Sequence, residues 1–343
     1  MSTSTRFLQT QAGKQAAFET PVTPTFQMPF TGEYEDRGDF QTAELDDGRW
    51  LPAVIVDRSS TFATFNLRGA GFFELLPVFL NAMFADMTPA GGTAPYSYDY
   101  TLDLTTPGTP APYTFFFGGG ENLGVTGPAV RVQDAYCQSL IVAGNANDRS
   151  VTYESTWFGA GVDDNSGAGH AFAAVAIPAG LGMMKYPFGK LEYADATATG
   201  GVFDTMSSFA CTMLDWRLTI NSGLQPKWSG DANKLSYCGV FIGRPSVQFQ
   251  VTLRTNATTY AAVMAKANGL TPTYQEIQFT QTGADSRQAI WQMTGRWLPV
   301  LTAHRRSGDE VTMQATFEAG GYYAQTTTPH AFGWQIDTAW SHT

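Results

Sequence analysis

The chain has 343 residues, of which 43% are hydrophobic and 15% charged, so it can bury a sizeable core and is not disordered. Its formal net charge of −10 excludes the cationic surface that grips nucleic-acid backbones, although a polyanion could slide along an acidic surface without sticking. Thirty-five glycines, eighteen prolines and 13% aromatic residues predict a mainly β protein, and the length favours two domains.

The first clear element is a strand that runs into a short helix, in STFATFNLRGAGFFELLPVFLNAMF at residues 60–84. The segment alternates up to Leu67 and is apolar at helical spacing from Phe72. The same change recurs in SVQFQVTLRTNATTYAAVMAKAN from Ser246, where Leu253 matches Leu67. Asn256 or Thr258 is the expected N-cap of the second helix, because both side chains can accept a backbone N–H.

Further pairs of segments follow in the same order. YSYDYTLDL (96–104) matches YQEIQFTQT (274–282), and YTFFFGGG from Tyr113 matches AIWQMTGR from Ala289. VTYESTWFGAG from Val151 aligns without a gap on VTMQATFEAGG from Val311. Each copy therefore reads as strands, a short helix, a hairpin and a closing strand, which predicts a tandem duplication. The alternative is chance alternation in a β-rich chain.

The repeat predicts five segments. Residues 20–160 and 206–325 are the two copies, and the Gly- and Ala-rich stretch 161–205 is the connector between them. Residues 1–20 and 326–343 fall outside the repeat as polar arms, which we expect to become ordered only against a neighbouring molecule.

The polar faces of the matched closing strands and hairpin strands carry Thr, Gln, Asp and Glu but neither Lys nor Arg. Solvated sheet faces ordinarily mix both signs of charge, so a face without cations calls for an explanation. It indicates either a passage for DNA or the ordinary surface of an acidic protein. The acidic residues on these faces are Asp99, Asp103, Glu154, Glu276 and Glu318.

No pattern of residues predicts an enzyme, a cofactor site or a metal site. The four histidines are far apart, and the glycine-rich stretches lack the spacing of a dinucleotide or phosphate loop. The three cysteines are too few and too widely spaced for a disulfide framework, which predicts small buried side chains. We expect neither a secretion signal nor a membrane-spanning helix.

The order of a strand pair, a helix after an Arg-bearing strand end, a hairpin and a closing VTxxxTxxxxG strand resembles the major tail tube proteins of long-tailed bacteriophages. It is most similar to the variant in which one chain carries two fused tube domains. The likeness covers residues 20–325 and lies in element order, since no diagnostic motif exists.

The resemblance implies two tandem β-sandwich or half-barrel domains, each with a short flanking α-helix. Three chains would close into a ring of six domains, and stacked rings would form a tube within the virion through which DNA leaves. Partners would be further copies of the chain and other tail proteins, such as the tape measure and the terminator, with no membrane. Asp99, Asp103, Glu154, Glu276 and Glu318 would be lumen-facing candidates.

The same resemblance assigns interfaces. The apolar first helix would pack where neighbouring domains meet, which makes Phe72, Phe73, Leu76, Phe79 and Leu80 candidates for inter-subunit packing. The acidic loop YEDRGDFQTAELDDGRW (34–50) would contact the next ring. Three other readings stay open: another virion protein such as a capsid or tail-tip component, a membrane β-barrel of the porin type, and a secreted carbohydrate-active enzyme.

Overall fold

The fold comes from a computed structural model, which describes residues 5–339 apart from a set of gaps. The gaps are 8, 37–39, 46–52, 59, 92, 104–107, 119–129, 161, 164–171, 196–202, 204–205, 210–211, 230–234, 270–273, 299–302, 308–309 and 321–329. The protein is mainly β, as predicted, with a large antiparallel sheet system and two short helical segments.

Residues 5–195 hold thirteen described strands and the first helix. The strands are β1 (Thr5–Phe7), β2 (Gln9–Lys14), β3 (Phe26–Met28), β4 (Thr31–Asp36), β5 (Phe40–Leu45), β6 (Ala53–Arg58), β7 (Ala63–Ala70), β8 (Tyr96–Asp103), β9 (Tyr113–Gly118), β10 (Val130–Asn145), β11 (Val151–Gly159), β12 (Val162–Asp163) and β13 (Gly189–Asp195). A 3-10 turn, Phe73–Leu75, leads into helix α1, Leu76–Met83.

Residues 207–338 hold ten described strands and the second helical segment. The strands are β14 (Ser207–Ser208), β15 (Met213–Asn221), β16 (Leu224–Lys227), β17 (Gly239–Ile242), β18 (Ser246–Arg254), β19 (Gln275–Thr282), β20 (Gln288–Trp297), β21 (Ala303–Ser307), β22 (Glu310–Ala319) and β23 (His330–Thr338). Segment α2 spans residues 257–267, with π-helical Tyr260–Met264 between two α-helical turns. Its predicted N-cap at Asn256 is confirmed: the Oδ1 atom accepts the Thr259 backbone N–H at 2.9 Å.

One run of antiparallel strands passes through both halves of the chain. Its order is β4–β7–β11–β10 from the first half and then β15–β18–β22–β21 from the second half. We call this run the repeat sheet. The two four-stranded groups have the same order and meet where β10 pairs with β15 over seven residues, from Ser139↔Asn221 to Asn145↔Asp215.

A pair of hairpins extends the repeat beyond the segments matched in the sequence. Strands β5 and β6 pair as Phe40↔Arg58, and β16 and β17 pair as Leu224↔Ile242. Both partners differ by 184 residues between the two hairpins (224 − 40 and 242 − 58). The β5–β6 hairpin connects β4 to β7, and the β16–β17 hairpin connects β15 to β18. The four strands β4–β7 therefore recur as β15–β18 at a spacing of 184 residues.

Strand pairing corrects the alignment of the first matched strand. Phe65 pairs with Trp157 in the first group, and Phe249 pairs with Phe317 in the second. Phe65 therefore corresponds to Phe249, so the match of Leu67 to Leu253 is wrong by two residues. A shift of two leaves an alternating pattern unchanged, which is why the sequence could not detect it.

A second layer covers the inner face of the repeat sheet. Strands β3, β2 and β9 and the start of β10 cover the first group. The layer also contains the run β8–β23–β20–β19–β13, in which β19 and β20 cover the second group. Ring pairs join the layers, with centroids 4.8 Å apart for Phe65–Phe115 and 4.4 Å apart for Trp216–Phe279. The main buried hydrophobic cluster includes residues from both halves, so the copies share one core.

The segments assigned as arms and connector contribute strands to this layer. Thr10 and Ala12 of β2 are buried, β13 pairs with β19, and β23 lies between β20 and β8, where Trp334 and Ile336 are buried. The prediction of arms that become ordered only against a neighbour is therefore wrong for these strands. In the first copy the expected hairpin does not form, because β8 pairs with β23 and β9 pairs with β2 and β10.

A buried ion pair ties the two halves together near α1. Glu74 precedes α1 and is fully buried, and its Oε1 atom accepts the Arg287 Nε–H at 2.5 Å. The Glu74 Oε2 atom accepts the Gly182 backbone N–H at 2.7 Å. Arg287 also donates to Asp285 Oδ2 at 2.8 Å. One carboxylate thus links the first copy, the predicted connector and the turn between β19 and β20.

Substituting Glu74 tests this link. Glu74→Gln should lower the free energy of unfolding by about 3 kcal/mol, the lower end of the range for breaking a buried pair, since Asp285 still contacts Arg287. Urea denaturation followed by tryptophan fluorescence measures the change. Lys190→Gln is the control, because its pair with Glu192 is half-exposed and should contribute under about 1 kcal/mol. Equal effects of the two substitutions would contradict the link.

The joint between the copies has its own test at Gly144. A Cβ atom there would lie 2.5 Å from Trp216 Nε1, because Gly144 is opposite Trp216 across the β10–β15 joint. Gly144→Val should therefore destabilise the protein by about 1–3 kcal/mol or more through overpacking. Ala143→Val is the matched control, since the neighbouring side chain lies on the other, half-exposed face. Calorimetry showing similar melting temperatures for both variants would rule out this packing.

Candidate assembly interface

The outer face of the repeat sheet is polar, mostly Ser, Thr, Asn and Gln. Across the strands, Thr156 of β11, Thr219 of β15 and Gln250 of β18 are half-exposed, while the alternate residues are buried. This alternation places the aromatic residues in the core and leaves one continuous hydrophilic surface over both copies. That surface is the candidate lumen face.

The candidate lumen face contains arginines that the sequence prediction missed. Arg68 on β7, Arg217 on β15 and Arg254 on β18 are exposed on it, next to strands whose polar positions lack cations. The expectation of a face without cations is therefore wrong once neighbouring strands are brought together. Four described acidic residues accompany the arginines on the strands of the repeat sheet: Glu35, Glu154, Asp215 and Glu318.

Two of the predicted lumen residues lie on this face. Glu154 is half-exposed, and its Oε1 atom is 2.8 Å from Arg68 NH2, directly across the β7–β11 pairing. Glu318 lines an open groove of about 400 Å³ together with Arg244 and Arg296. Both carboxylates therefore have guanidinium groups nearby.

The other three predicted lumen residues belong to the second layer. Asp99 on β8 is exposed, but it lies opposite Gln335 of β23 and away from the repeat sheet. Asp103 ends the same strand, and its side chain is outside the described residues. Glu276 on β19 is only 4% exposed, and its Oε2 atom accepts the Phe203 backbone N–H at 3.2 Å, so it does not face a lumen.

Helix α1 is enclosed within its own chain. Phe73, Leu76, Phe79 and Leu80 have no exposed surface, and Phe72 is half-buried beside them. Their contacts are internal: the ring of Phe79 lies 6.0 Å from that of Trp157. These residues are thus not available as the inter-subunit surface that the sequence predicted. The all-round apolar character has another cause, since the helix is covered on every side by the chain's own strands.

The two ends of the repeat sheet differ in their strand pairing. Within the described residues, β21 pairs with β22 on one side and has no strand on the other. At the opposite end, β4 pairs with β7 on one side and with the three-residue β1 on the other. Unpaired edge groups favour addition of another strand, so β21 is a candidate edge for joining a second molecule.

The β16–β17 hairpin region carries the most concentrated exposed apolar surface in the described residues. Four large side chains in residues 228–242 are 39% to 61% exposed: Trp228, Leu235, Phe241 and Ile242. The loop that connects β16 to β17 is anchored, since the Trp228 ring lies 5.9 Å from Phe62 and Tyr237 packs on Phe158 at 5.7 Å. An anchored, exposed apolar surface is typical of a contact site.

The sequence missed this region because the repeat was matched only from the strand before α1 onwards. The spacing of 184 makes β16–β17 the counterpart of β5–β6, and β5 lies within the acidic loop 34–50 that was assigned to ring contacts. The side chains of β5 and β6 are outside the described residues, as are those of all four histidines.

The described residues include no group of His, Cys, Asp and Glu that could hold a metal ion. Cys137 is buried as predicted, and burial raises the pKa of its thiol well above the usual value. The same prediction is wrong for Cys238, which is half-exposed, and Cys211 lies outside the described residues. None of the described helices is long and apolar enough to cross a membrane. No protein-family model and no curated protein matches the sequence.

Proposed function

We propose that this chain is the structural subunit of a phage tail tube, in which three chains close into a ring and stacked rings enclose a channel for DNA. The observation that carries the proposal is the repeat sheet, because it continues from one copy to the next. Its two ends are β21, the counterpart of β10, and β4, the counterpart of β15. A sheet that joins two copies by β10 and β15 can be extended by the same pairing between chains.

Ring closure follows from a repeated head-to-tail contact. A heterologous contact between identical units closes into a ring when the rotation between units divides a full turn, and otherwise gives an open filament. Fusing two units in one chain makes every second joint covalent and lowers the entropy cost of closure. The count of six units, from three chains, comes from the resemblance to tail tube proteins.

The candidate lumen face suits passage of a polyanion. Hydroxyl and amide side chains dominate it, and its three described arginines are outnumbered by the carboxylates of Glu35, Glu154, Asp215 and Glu318. Tight DNA binding needs a cluster of cations that releases condensed counterions, and this face offers none. DNA would therefore move along this surface without being held.

Stacking of rings would use the exposed hairpins. The apolar surface of β16–β17 lies beside an anchored connecting loop, and its partner in this proposal is a second copy of the chain in the next ring. Burying a side chain such as Phe241, which is 61% exposed in the single chain, contributes about 1.5–3 kcal/mol. Repeated around a ring, contacts of this size hold two rings together.

Electron microscopy of the purified chain tests the assembly. Negatively stained samples at rising concentration should contain rings or hollow tubes without added nucleic acid, since the joints involve protein alone. Analytical ultracentrifugation should show the single chain giving way to multiples of three chains. A protein that stays monomeric at every concentration, or that forms closed shells, would contradict the tail tube assignment.

The stacking contact predicts separate effects on rings and tubes. Phe241→Asp should leave rings intact but raise the concentration at which tubes form by about ten- to hundredfold, because a charge replaces a buried apolar side chain. Ile177→Asp is the control, since Ile177 is also exposed, at 43%, but lies away from the hairpin. Light scattering follows tube growth. Tubes that form equally well with Phe241→Asp would exclude the hairpin from the contact.

A further inference from the structure

We propose that β1 is a temporary cap on the β4 edge and that it holds the place taken by β21 of a second chain during assembly. The inference rests on the proposed function, since it concerns the joint between chains. It is carried by the register of three strand pairs: β10 with β15, β21 with β22, and β1 with β4.

The internal joint fixes the register that β21 and β4 would adopt. Ala143 lies opposite Arg217 within the chain. Across the repeat, Ala143 corresponds to Arg305, because Ala143 pairs with Thr152 of β11 and Arg305 pairs with its counterpart Thr312 of β22. Arg217 corresponds to Glu33 at the spacing of 184. The same joint between chains therefore places Arg305 opposite Glu33.

Strand β1 occupies the same positions on β4. Within the chain, Thr5, Arg6 and Phe7 lie opposite Tyr34, Glu33 and Gly32. The inter-chain register would place His304, Arg305 and Arg306 of β21 opposite the same three residues. An arginine is opposite Glu33 in both cases, and a large residue is opposite Gly32 in both cases. The segment TRF of β1 thus matches the segment HRR of β21.

The residue types also direct β21 to β4 rather than to β15. Paired with β15, Arg305 would lie opposite Arg217, and like charges directly opposite on neighbouring strands are destabilising. Arg306 would then take the place of Gly144, where even a Cβ atom meets Trp216 at 2.5 Å. Opposite β4, the same two residues meet Glu33 and Gly32. The two joints are complementary in charge and size and are not interchangeable.

Replacing β1 by β21 increases the number of residues paired with β4. Strand β1 pairs with β4 over three residues, whereas β21 has five residues available to pair with it. The cap protects an edge that would otherwise pair with any strand, and a longer matching strand replaces it. Capping by β1 therefore delays joining until chains are concentrated enough for β21 to compete.

A reversible disulfide tests the cap. Opposed Cα atoms of antiparallel strands lie about 4.5–5.5 Å apart, within the range that a disulfide spans, so Thr5→Cys with Tyr34→Cys should lock β1 onto β4. Cys211→Ser and Cys238→Ser remove two of the three native cysteines, and the third, Cys137, is buried. The oxidised chain should stay single, and adding dithiothreitol should start ring formation. The single variants Thr5→Cys and Tyr34→Cys are the controls.

The outcomes separate the two proposals. If the oxidised and reduced proteins form rings at the same rate, the cap is wrong while the tail tube proposal stands. If the unsubstituted chain forms no rings at any concentration, the proposed function fails and the cap fails with it. Ring formation only after reduction supports both.

Charge reversal gives an independent readout. Arg6→Glu should weaken the cap and lower the concentration for half-assembly by about two- to fivefold, whereas Arg305→Glu should raise it by a similar factor. Both substitutions place glutamate opposite the same Glu33, so a purely structural role of β1 would not give effects of opposite sign. Effects of the same sign would overturn the proposal.

Discussion

The pairing of β10 with β15 is the contact on which the rest of the architecture depends. It joins two four-stranded groups into one sheet and positions the aromatic residues of both groups on one inner face. Because the second layer packs across that inner face, neither group is complete without the other. The two copies therefore repeat the same strand order but share a single core. They are less independent of each other than two separate domains would be.

Local patterns in the sequence predicted the parts of this fold that depend on local interactions. Alternation identified the strands, the N-cap at Asn256 was read from residue type, and Cys137 was expected in the core. The duplicated order was visible because each element keeps its own period. The register was not visible, since the match of Leu67 to Leu253 and the correct match of Phe65 to Phe249 preserve the same alternation.

The sequence did not predict features that depend on pairing between distant segments. Strand β23 lies in a polar tail, yet Trp334 and Ile336 place it at the centre of the second layer. The candidate lumen face appeared free of cations because each strand was read alone, whereas Arg68 lies on the strand next to Glu154. Helix α1 looked like an interface because it is apolar all round. In the structure, segments far away in the sequence enclose that apolar surface.

The position of β23 bears on how the polypeptide is synthesised. Strand β8 belongs to the first copy, but its only described strand partner is β23, with Tyr100 opposite Trp334. As the ribosome releases the chain from its amino end, β8 emerges more than two hundred residues before that partner. The first copy therefore remains unfinished until β23 has been synthesised. A truncated product would expose β8, and cellular quality control could recognise it before it joined an assembly.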